Sequence, residues 1–144
     1  KQFAKLHPDL QVIYPTHPNP NVQIAVKESG IEDIENIFCT GPLTYKNLVY
    51  TLMNSDWVAT DSGGIQEEAV CLGKEVLVLR DITERWEGVW EGSEILVGTD
   101  PDKIMPALKK CYNRPKREET ISTIYGDGKA CERIVNILSN LYQF

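Results

Sequence analysis

Short apolar runs alternate along the chain with stretches in which apolar residues recur every three or four positions. Runs of this length, rich in Val, Ile and aromatic side chains, are typical of the buried strands of a parallel sheet. The helical spacing is typical of amphipathic helices that cover such a sheet. The sequence therefore predicts five strands, at residues 10–14, 37–39, 57–60, 75–79 and 94–98.

Local signals set the ends of the predicted helices. Gly30 and Gly73 each end a helix, because glycine readily adopts the left-handed conformation found at helix C-termini. Thr44 and Asp100 are expected to be N-caps, and the proline that follows Asp100 suits the first position of a helix. A last amphipathic helix is predicted over residues 128–141, with an apolar stripe formed by Cys131, Ile134, Val135 and Leu138.

The alternation of strands and helices predicts an α/β fold with a mostly parallel sheet that helices cover on both faces. In such sheets, ligands bind beyond the carboxyl ends of the strands. Four unusual segments, predicted to be loops, each follow a predicted strand, so we expect them to lie on one rim of the sheet. They are residues 15–20, 40–43, 61–64 and 80–92.

Composition narrows the class of protein. The 144 residues suffice for one ordinary domain. The chain opens without Met in what looks like the end of a helix, which indicates either a fragment of a longer protein or a processed or trimmed start. A net charge of −6 argues against nucleic-acid binding, and no apolar run is long enough to cross a membrane. We expect no signal peptide, since none is visible in these residues, and the four scattered cysteines are typical of reduced thiols in a cytosolic protein rather than of a zinc site.

The segment after the third predicted strand carries the clearest chemistry. Ser62, Gly63 and Gly64 open a helix, where small residues leave backbone N–H groups bare for an anion. Ser62 can also donate its hydroxyl to a phosphate. The alternative is that a strand-to-helix turn simply requires glycine for its backbone conformation. The pattern alone does not separate these two interpretations.

Charged residues nearby favour a nucleotide. Glu67 and Glu68 follow the glycines, and neighbours on a helix point about 100° apart, so only one of them can face a given ligand group. We expect Glu68 to accept ribose hydroxyls and Glu67 to face another partner. Arg85 is a candidate clamp for phosphate, although an arginine in a loop is more often a solvated charge. His17 is either a polar loop residue or a ligand contact.

No catalytic constellation is complete within the chain. The sequence has no Ser/His/Asp set, no HExxH motif and no Walker-type GxxxxGK[ST]. It predicts no metal site and no cofactor. A nucleotide site without an acid–base pair indicates that the chemistry needs residues outside this chain.

Several segments together resemble one family, the non-hydrolysing UDP-N-acetylglucosamine 2-epimerases. Residues 14–22 (YPTHPNPNV) are similar to the family's YPxHxNPxV segment, and residues 60–69 to its TDSGGxQEEA signature. Residues 73–85 are similar to GKPVLVLRDTTER, and residues 96–100 and 125–128 fit later segments. The resemblance covers nearly the whole chain, in order and at the family's spacing.

The resemblance implies a fold and a set of site residues. It implies a Rossmann-like parallel sheet with helices on both faces, which is the C-terminal half of a type-B glycosyltransferase-like fold. Residues 1–144 would then be the C-terminal UDP-binding domain, without its N-terminal domain. The residues implied to bind UDP are Ser62, Gly63, Gly64, Glu68 and Arg85, with Leu43 and Leu48 in the wall around the uracil. His17 is implied to lie near a second UDP-sugar site.

The resemblance also implies an activity. Such enzymes interconvert UDP-N-acetylglucosamine and UDP-N-acetylmannosamine by eliminating UDP to give 2-acetamidoglucal and adding it back. The expected full-length protein is a cytoplasmic isomerase of cell-surface polysaccharide biosynthesis, a homodimer that needs no cofactor. The family's catalytic carboxylates lie in the N-terminal domain, so we expect no catalytic residue here and no turnover by the isolated chain. Prolines of the family are replaced by Val70, Glu75, Trp86 and Ile124.

Two other functions compete with this interpretation. The chain could be the nucleotide-sugar domain of a glycosyltransferase of the same fold, in which the sugar passes to an acceptor. It could also be a degenerate domain that senses a nucleotide sugar without catalysis. The ordered TDSGGxQEEA and TER motifs favour the epimerase over both, and the replaced prolines are the only support for the degenerate domain.

Overall fold

The structure is a computed structural model that describes residues 1–115 and 120–142. Helices and strands alternate through most of these residues. In chain order they are α1 (Gln2–Leu6), β1 (Val12–Pro15), α2 (Pro20–Ser29), β2 (Ile37–Thr40), α3 (Tyr45–Met53), β3 (Trp57–Thr60), α4 (Gly63–Cys71), β4 (Glu75–Val78), α5 (Trp86–Glu91), β5 (Glu94–Leu96), α6 (Pro101–Tyr112) and α7 (Ala130–Tyr142).

All strand pairings are parallel, which confirms the predicted α/β class. β1 pairs with β2 in one sheet, and a second sheet has the order β3-β4-β5 with β4 at its centre. The chain divides into two compact units, Lys1–Thr51 and Leu52–Phe144, and each sheet belongs to one of them. Each unit is described by itself below.

The first unit is built around a small apolar core. Ala4, Ile34 and Ile37 are its buried members, with Val12, Ile31 and Cys39 packed against them. α2 begins at Asn19, whose side chain accepts a hydrogen bond from the Asn21 amide at 2.9 Å, and Pro20 occupies the first helical position. It ends at Gly30, which has the left-handed conformation expected from the sequence.

The second unit is built around the central strand β4. Val76, Leu77 and Val78 are completely buried, and Leu77 packs with Val97 and with Cys111 of α6. Since β3 and β4 are parallel, their carboxyl ends lie at the same edge of the sheet. The segments that follow them, residues 61–63 and 79–85, therefore begin side by side, and this places the candidate site.

Two helices differ from the expectation. The segment 80–92 was predicted to be a loop, but it contains the short helix α5. α7 forms where a helix was predicted, yet its apolar residues are exposed, including Ile134, Val135 and Leu138. Among the described residues, no helix combines the length and the apolar character that a membrane span requires.

Candidate functional site

Among the residues that the structure describes, the N-terminus of α4 offers backbone donors without a partner. The first hydrogen bond of the helix runs from the Gln66 amide to the Ser62 carbonyl at 3.1 Å. The amides of Gly63, Gly64 and Ile65 therefore precede the hydrogen-bonded ladder, and the helix dipole adds a partial positive charge there. Ser62 is the N-cap residue, but its side chain makes no capping hydrogen bond. Its hydroxyl and three amides are thus available to an anion.

The two glycines have different roles, and neither is required by the turn itself. Neither Gly63 nor Gly64 has a positive φ, so a residue with a side chain could adopt either backbone conformation. A Cβ on Gly63 would lie 2.5 Å from both Cζ and Nη1 of Arg85. A Cβ on Gly64 would meet nothing within 4 Å. Gly63 therefore makes room for the Arg85 guanidinium, and Gly64 leaves the backbone open.

Arg85 is held in place rather than free in solvent. Its Nε donates to Glu67 Oε1 at 2.7 Å, and its Nη1 donates to Glu84 Oε2 at 3.2 Å. Glu84 also pairs with Arg80 at 3.4 Å, but that carboxylate is largely exposed and contributes little to stability. The guanidinium consequently lies against the start of α4, next to its unpaired amides.

The adjacent carboxylates of α4 point to different places. Glu67 faces Arg85, as its 2.7 Å contact shows. Glu68 is half-buried, and its Oε2 is a buried atom without a hydrogen-bond partner among the residues that the structure describes. An acceptor in that position is costly unless a donor reaches it. Glu68 is therefore the carboxylate of the two that lacks a donor.

A buried polar pair that the sequence did not indicate connects the Arg85 segment to α4. Thr83 and Gln66 are 1% and 0% exposed. The Thr83 hydroxyl donates to Gln66 Oε1 at 3.1 Å and accepts from the Arg85 amide at 3.1 Å. The backbone of Arg85 is thereby tied to the helix whose N-terminus its side chain approaches. A glutamine within an otherwise buried helix face was the only signal for this pair.

A second buried polar pair lies on the other side of Arg85. Glu94, at the start of β5, is 3% exposed, and its Oε1 accepts from the Tyr125 hydroxyl at 3.0 Å. The same hydroxyl accepts from the Gly88 amide at 3.1 Å, and the Arg85 carbonyl oxygen lies 3.4 Å from it. Sequence reasoning missed this pair as well, because its members are 31 residues apart.

The Glu94 environment yields a pH prediction. Burial raises the pKa of Glu94 above its ordinary value of 4.5, and the carboxylates of Glu67 and Glu87 add to this, while the Tyr125 hydrogen bond and Arg85 oppose it. A raised folded-state pKa means that the folded protein binds the proton more tightly than the unfolded chain. The contribution of Glu94 to stability is then fully present below the unfolded pKa and is lost as the pH rises through the folded pKa.

We therefore expect Glu94→Gln to reduce the loss of folding stability that accompanies a rise in pH. The free energy of unfolding of Glu94→Gln, relative to the native chain, should rise between pH 4.5 and neutral pH. Urea unfolding over that pH range measures it. Glu28→Gln, which changes an exposed carboxylate of α2, is the control for the loss of one negative charge. A constant difference between Glu94→Gln and the native chain would contradict the prediction.

The remaining predicted site residues lie in the first unit. His17 is exposed, and its Nδ1 accepts from the Asn19 amide at 3.1 Å. Leu43 and Leu48 are half-buried. An open cavity of about 440 Å³ lies in this unit, and Thr16, Gln23, Glu32, Cys39, Thr40 and Pro42 contribute to its lining. The roles of His17, Leu43 and Leu48 stay predictions.

In the described part of the chain, no group of three His, Cys, Asp or Glu side chains is arranged to hold a metal ion. All four cysteines are free thiols. Burial raises the pKa of Cys111 to about 11, so this thiol stays protonated near neutral pH.

Comparison with known proteins finds one family. A sequence model described as UDP-N-acetylglucosamine 2-epimerase matches residues 1–139. The chain is 44% identical over 141 residues to the UDP-N-acetylglucosamine 2-epimerase of Campylobacter jejuni, covering 96% of this chain and 37% of that protein. It is 43% identical over 142 residues to the enzyme of the same name from Escherichia coli K12, again covering 96% and 37%.

Solved structures agree with the sequence comparison. A co-structure of Staphylococcus aureus MnaA with UDP superposes with a TM-score of 0.89 at 34% identity, over 99% of this chain and 39% of that one. The Neisseria meningitidis UDP-GlcNAc 2-epimerase bound to UDP-GlcNAc gives a TM-score of 0.79 at 37% identity, over 96% and 39%. The chain thus spans less than two fifths of the length of these relatives.

Proposed function

Since the chain belongs to the UDP-N-acetylglucosamine 2-epimerase family, we propose that it is the C-terminal, UDP-binding domain of a longer epimerase. One observation carries the proposal: the Arg85 guanidinium lies against Gly63, at the open N-terminus of α4. A cation beside unpaired helix amides is an arrangement that favours a diphosphate. The family membership favours this function over transfer of a sugar to an acceptor.

The residues of the second unit give the proposed site its parts. The diphosphate would accept from the amides of Gly63 and Gly64, from the Ser62 hydroxyl and from Arg85. The open space at Gly64 lets a phosphate oxygen approach the backbone. Glu68 would accept a ribose hydroxyl, an assignment that rests on the family resemblance.

Epimerisation makes a specific demand on such a site. When the sugar loses its proton at C2 and its C1–O bond breaks, UDP leaves with the bonding electron pair and 2-acetamidoglucal remains. Negative charge then grows on the diphosphate, and fixed donors aimed at it stabilise the transition state more than the substrate. When UDP returns to C1 and a proton reaches the opposite face of C2, the epimer forms. The site must hold UDP in the meantime.

The rest of the protein supplies the remaining functions in this proposal. The acid and base that move the C2 proton belong to the N-terminal domain, and the isolated chain binds UDP without turnover. The full-length protein takes UDP-N-acetylglucosamine and UDP-N-acetylmannosamine, forms a homodimer and works in the cytoplasm. His17 is assigned to a second UDP-sugar site, and Leu43 and Leu48 to the uracil; these three assignments rest on the family resemblance.

Calorimetric titration of UDP into this chain tests the proposal. We expect UDP to bind and ADP to bind much less, and we expect Arg85→Ala to weaken UDP binding. Loss of a charge-assisted hydrogen bond costs about 1.5–3 kcal/mol, which corresponds to about a 10- to 100-fold increase in Kd.

Arg80→Ala is the matched control for this titration. It removes the same charge from the same segment, but Arg80 is 40% exposed and pairs only with Glu84 among its described ion pairs. Its effect on UDP binding should be less than about threefold, as for other exposed charges. Equal weakening by both variants would mean that UDP binding depends on the net charge of this segment rather than on the position of Arg85. If the native chain does not bind UDP, the proposal that this domain binds UDP by itself fails.

A further inference from the structure

We propose that Tyr125 and Glu94 are positioning residues, which fix the backbone of Arg85 so that its guanidinium stays at the N-terminus of α4. The inference rests on the proposed function, since it assigns a purpose to residues that lie behind the diphosphate site. Neither residue belongs to the predicted set of UDP ligands.

Tyr125 contacts the backbone at Arg85 and again at Gly88, three residues later. Its hydroxyl oxygen lies 3.4 Å from the Arg85 carbonyl oxygen and accepts from the Gly88 amide at 3.1 Å. The phenolic proton goes to Glu94 Oε1, the nearer acceptor, at 3.0 Å. One hydroxyl therefore anchors the first turn of α5 to the start of β5.

Gly88 shows how closely these groups approach. A Cβ on Gly88 would lie 2.6 Å from Glu94 Cδ and 2.7 Å from the Tyr125 hydroxyl oxygen. Gly88 has no positive φ, so the backbone conformation does not demand glycine there. The glycine is needed because the carboxylate and the phenol occupy the space that a Cβ would take. A six-residue helix with glycine in its middle has little stability of its own, so this contact holds it.

Burying the carboxylate of Glu94 costs free energy. Glu94 is 3% exposed, and its Oε2 has no hydrogen-bond partner among the described residues. A charged group in that position is expensive, and an apolar residue at the start of a buried strand would cost less. Glu94 accepts the hydrogen bond of the Tyr125 hydroxyl. The positive charge of Arg85 lies close enough to lower the pKa of Glu94.

Arg85 is consequently fixed on both sides. Its amide donates to Thr83, which is tied to Gln66 of α4, and its carbonyl lies next to Tyr125. With the Arg85 amide held by Thr83 and the Gly88 amide held by Tyr125, the guanidinium has few ways to leave Gly63. A preorganised arginine binds a diphosphate without the entropic cost of ordering a long side chain.

A double-mutant cycle tests the inference. Tyr125→Phe removes only the hydroxyl, and we expect it to weaken UDP binding to this chain about fivefold in calorimetry. In the Arg85→Ala background the same change should have no further effect, because the residue that Tyr125 positions is gone. An equal loss in both backgrounds would show a general structural role and would overturn the inference. No loss in the native background would overturn it as well.

A second readout is independent of UDP. The Nε–H resonance of Arg85 reports its hydrogen bond to Glu67, and Tyr125→Phe is expected to shift it in the free chain. If the native chain does not bind UDP, the proposed function fails, and this resonance alone decides: a shift supports positioning and an unchanged signal overturns it. If Tyr125→Phe does not fold, Glu94→Leu takes its place, because it removes the acceptor of the phenolic proton and keeps a similar volume. An unchanged Nε–H resonance in that variant overturns the inference.

Discussion

Replacing Thr83 with valine is expected to lower the free energy of unfolding by about 2–3 kcal/mol, because it leaves buried polar groups without partners. The hydroxyl of Thr83 satisfies Gln66 Oε1 and the Arg85 amide, both at 3.1 Å. Gln66 is completely buried, and its Nε2 already lacks a described partner. Water cannot reach the amide oxygen to replace the lost donor. Urea unfolding measures the difference.

Thr83→Ser is the matched control for this substitution. Serine keeps the hydroxyl and loses the methyl group, whereas valine keeps the shape and loses the hydroxyl. Deleting one buried methyl costs about 1 kcal/mol, so serine should be the less damaging change. Valine should also weaken UDP binding, since the backbone of Arg85 loses its link to α4 through Thr83 and Gln66, and serine should not. If serine destabilises more than valine, packing rather than hydrogen bonding maintains this contact.

Most of the secondary structure could be predicted, because its signals are local. The apolar runs predicted every strand of the described residues, and Asn19 and Asp100 cap their helices through the side-chain contacts that such residues usually make. α5 was missed for a physical reason. It has only six residues with a glycine in the middle, so it depends on the distant Tyr125 rather than on its own propensity.

The site was predictable only in part. The helical spacing indicated that Glu67 and Glu68 diverge, and the structure turns Glu67 to Arg85. The reason for Gly63 could not be found from the sequence, because it depends on where the Arg85 side chain lies. Pairs such as Tyr125 and Glu94 carry no periodic signal, since a tertiary contact between distant residues leaves none in the local pattern.

Replacing Gly63 with alanine is expected to weaken UDP binding about 10- to 100-fold, as much as the loss of Arg85 itself. The new Cβ would lie 2.5 Å from Arg85 Cζ and Nη1, so the guanidinium has to move away from α4. The fold should tolerate the change, because the guanidinium is the end of a flexible side chain. Alanine also favours the helix by about 0.5–1 kcal/mol over glycine. Calorimetry with UDP and urea unfolding measure the two effects separately.

Gly64→Ala shows whether weaker UDP binding comes from displacement of Arg85 or from blocked access to the backbone amides. Its Cβ would meet no protein atom within 4 Å, so Arg85 stays in place and stability should be kept or increased. UDP binding should nevertheless weaken, because the methyl group occupies the space through which a phosphate oxygen approaches the amides. In the Arg85→Ala background, Gly63→Ala should lose most of its effect, whereas Gly64→Ala should keep its own. Unchanged UDP binding in Gly63→Ala would mean that Arg85 does not act from its place beside α4, and the proposed diphosphate site would fail with it.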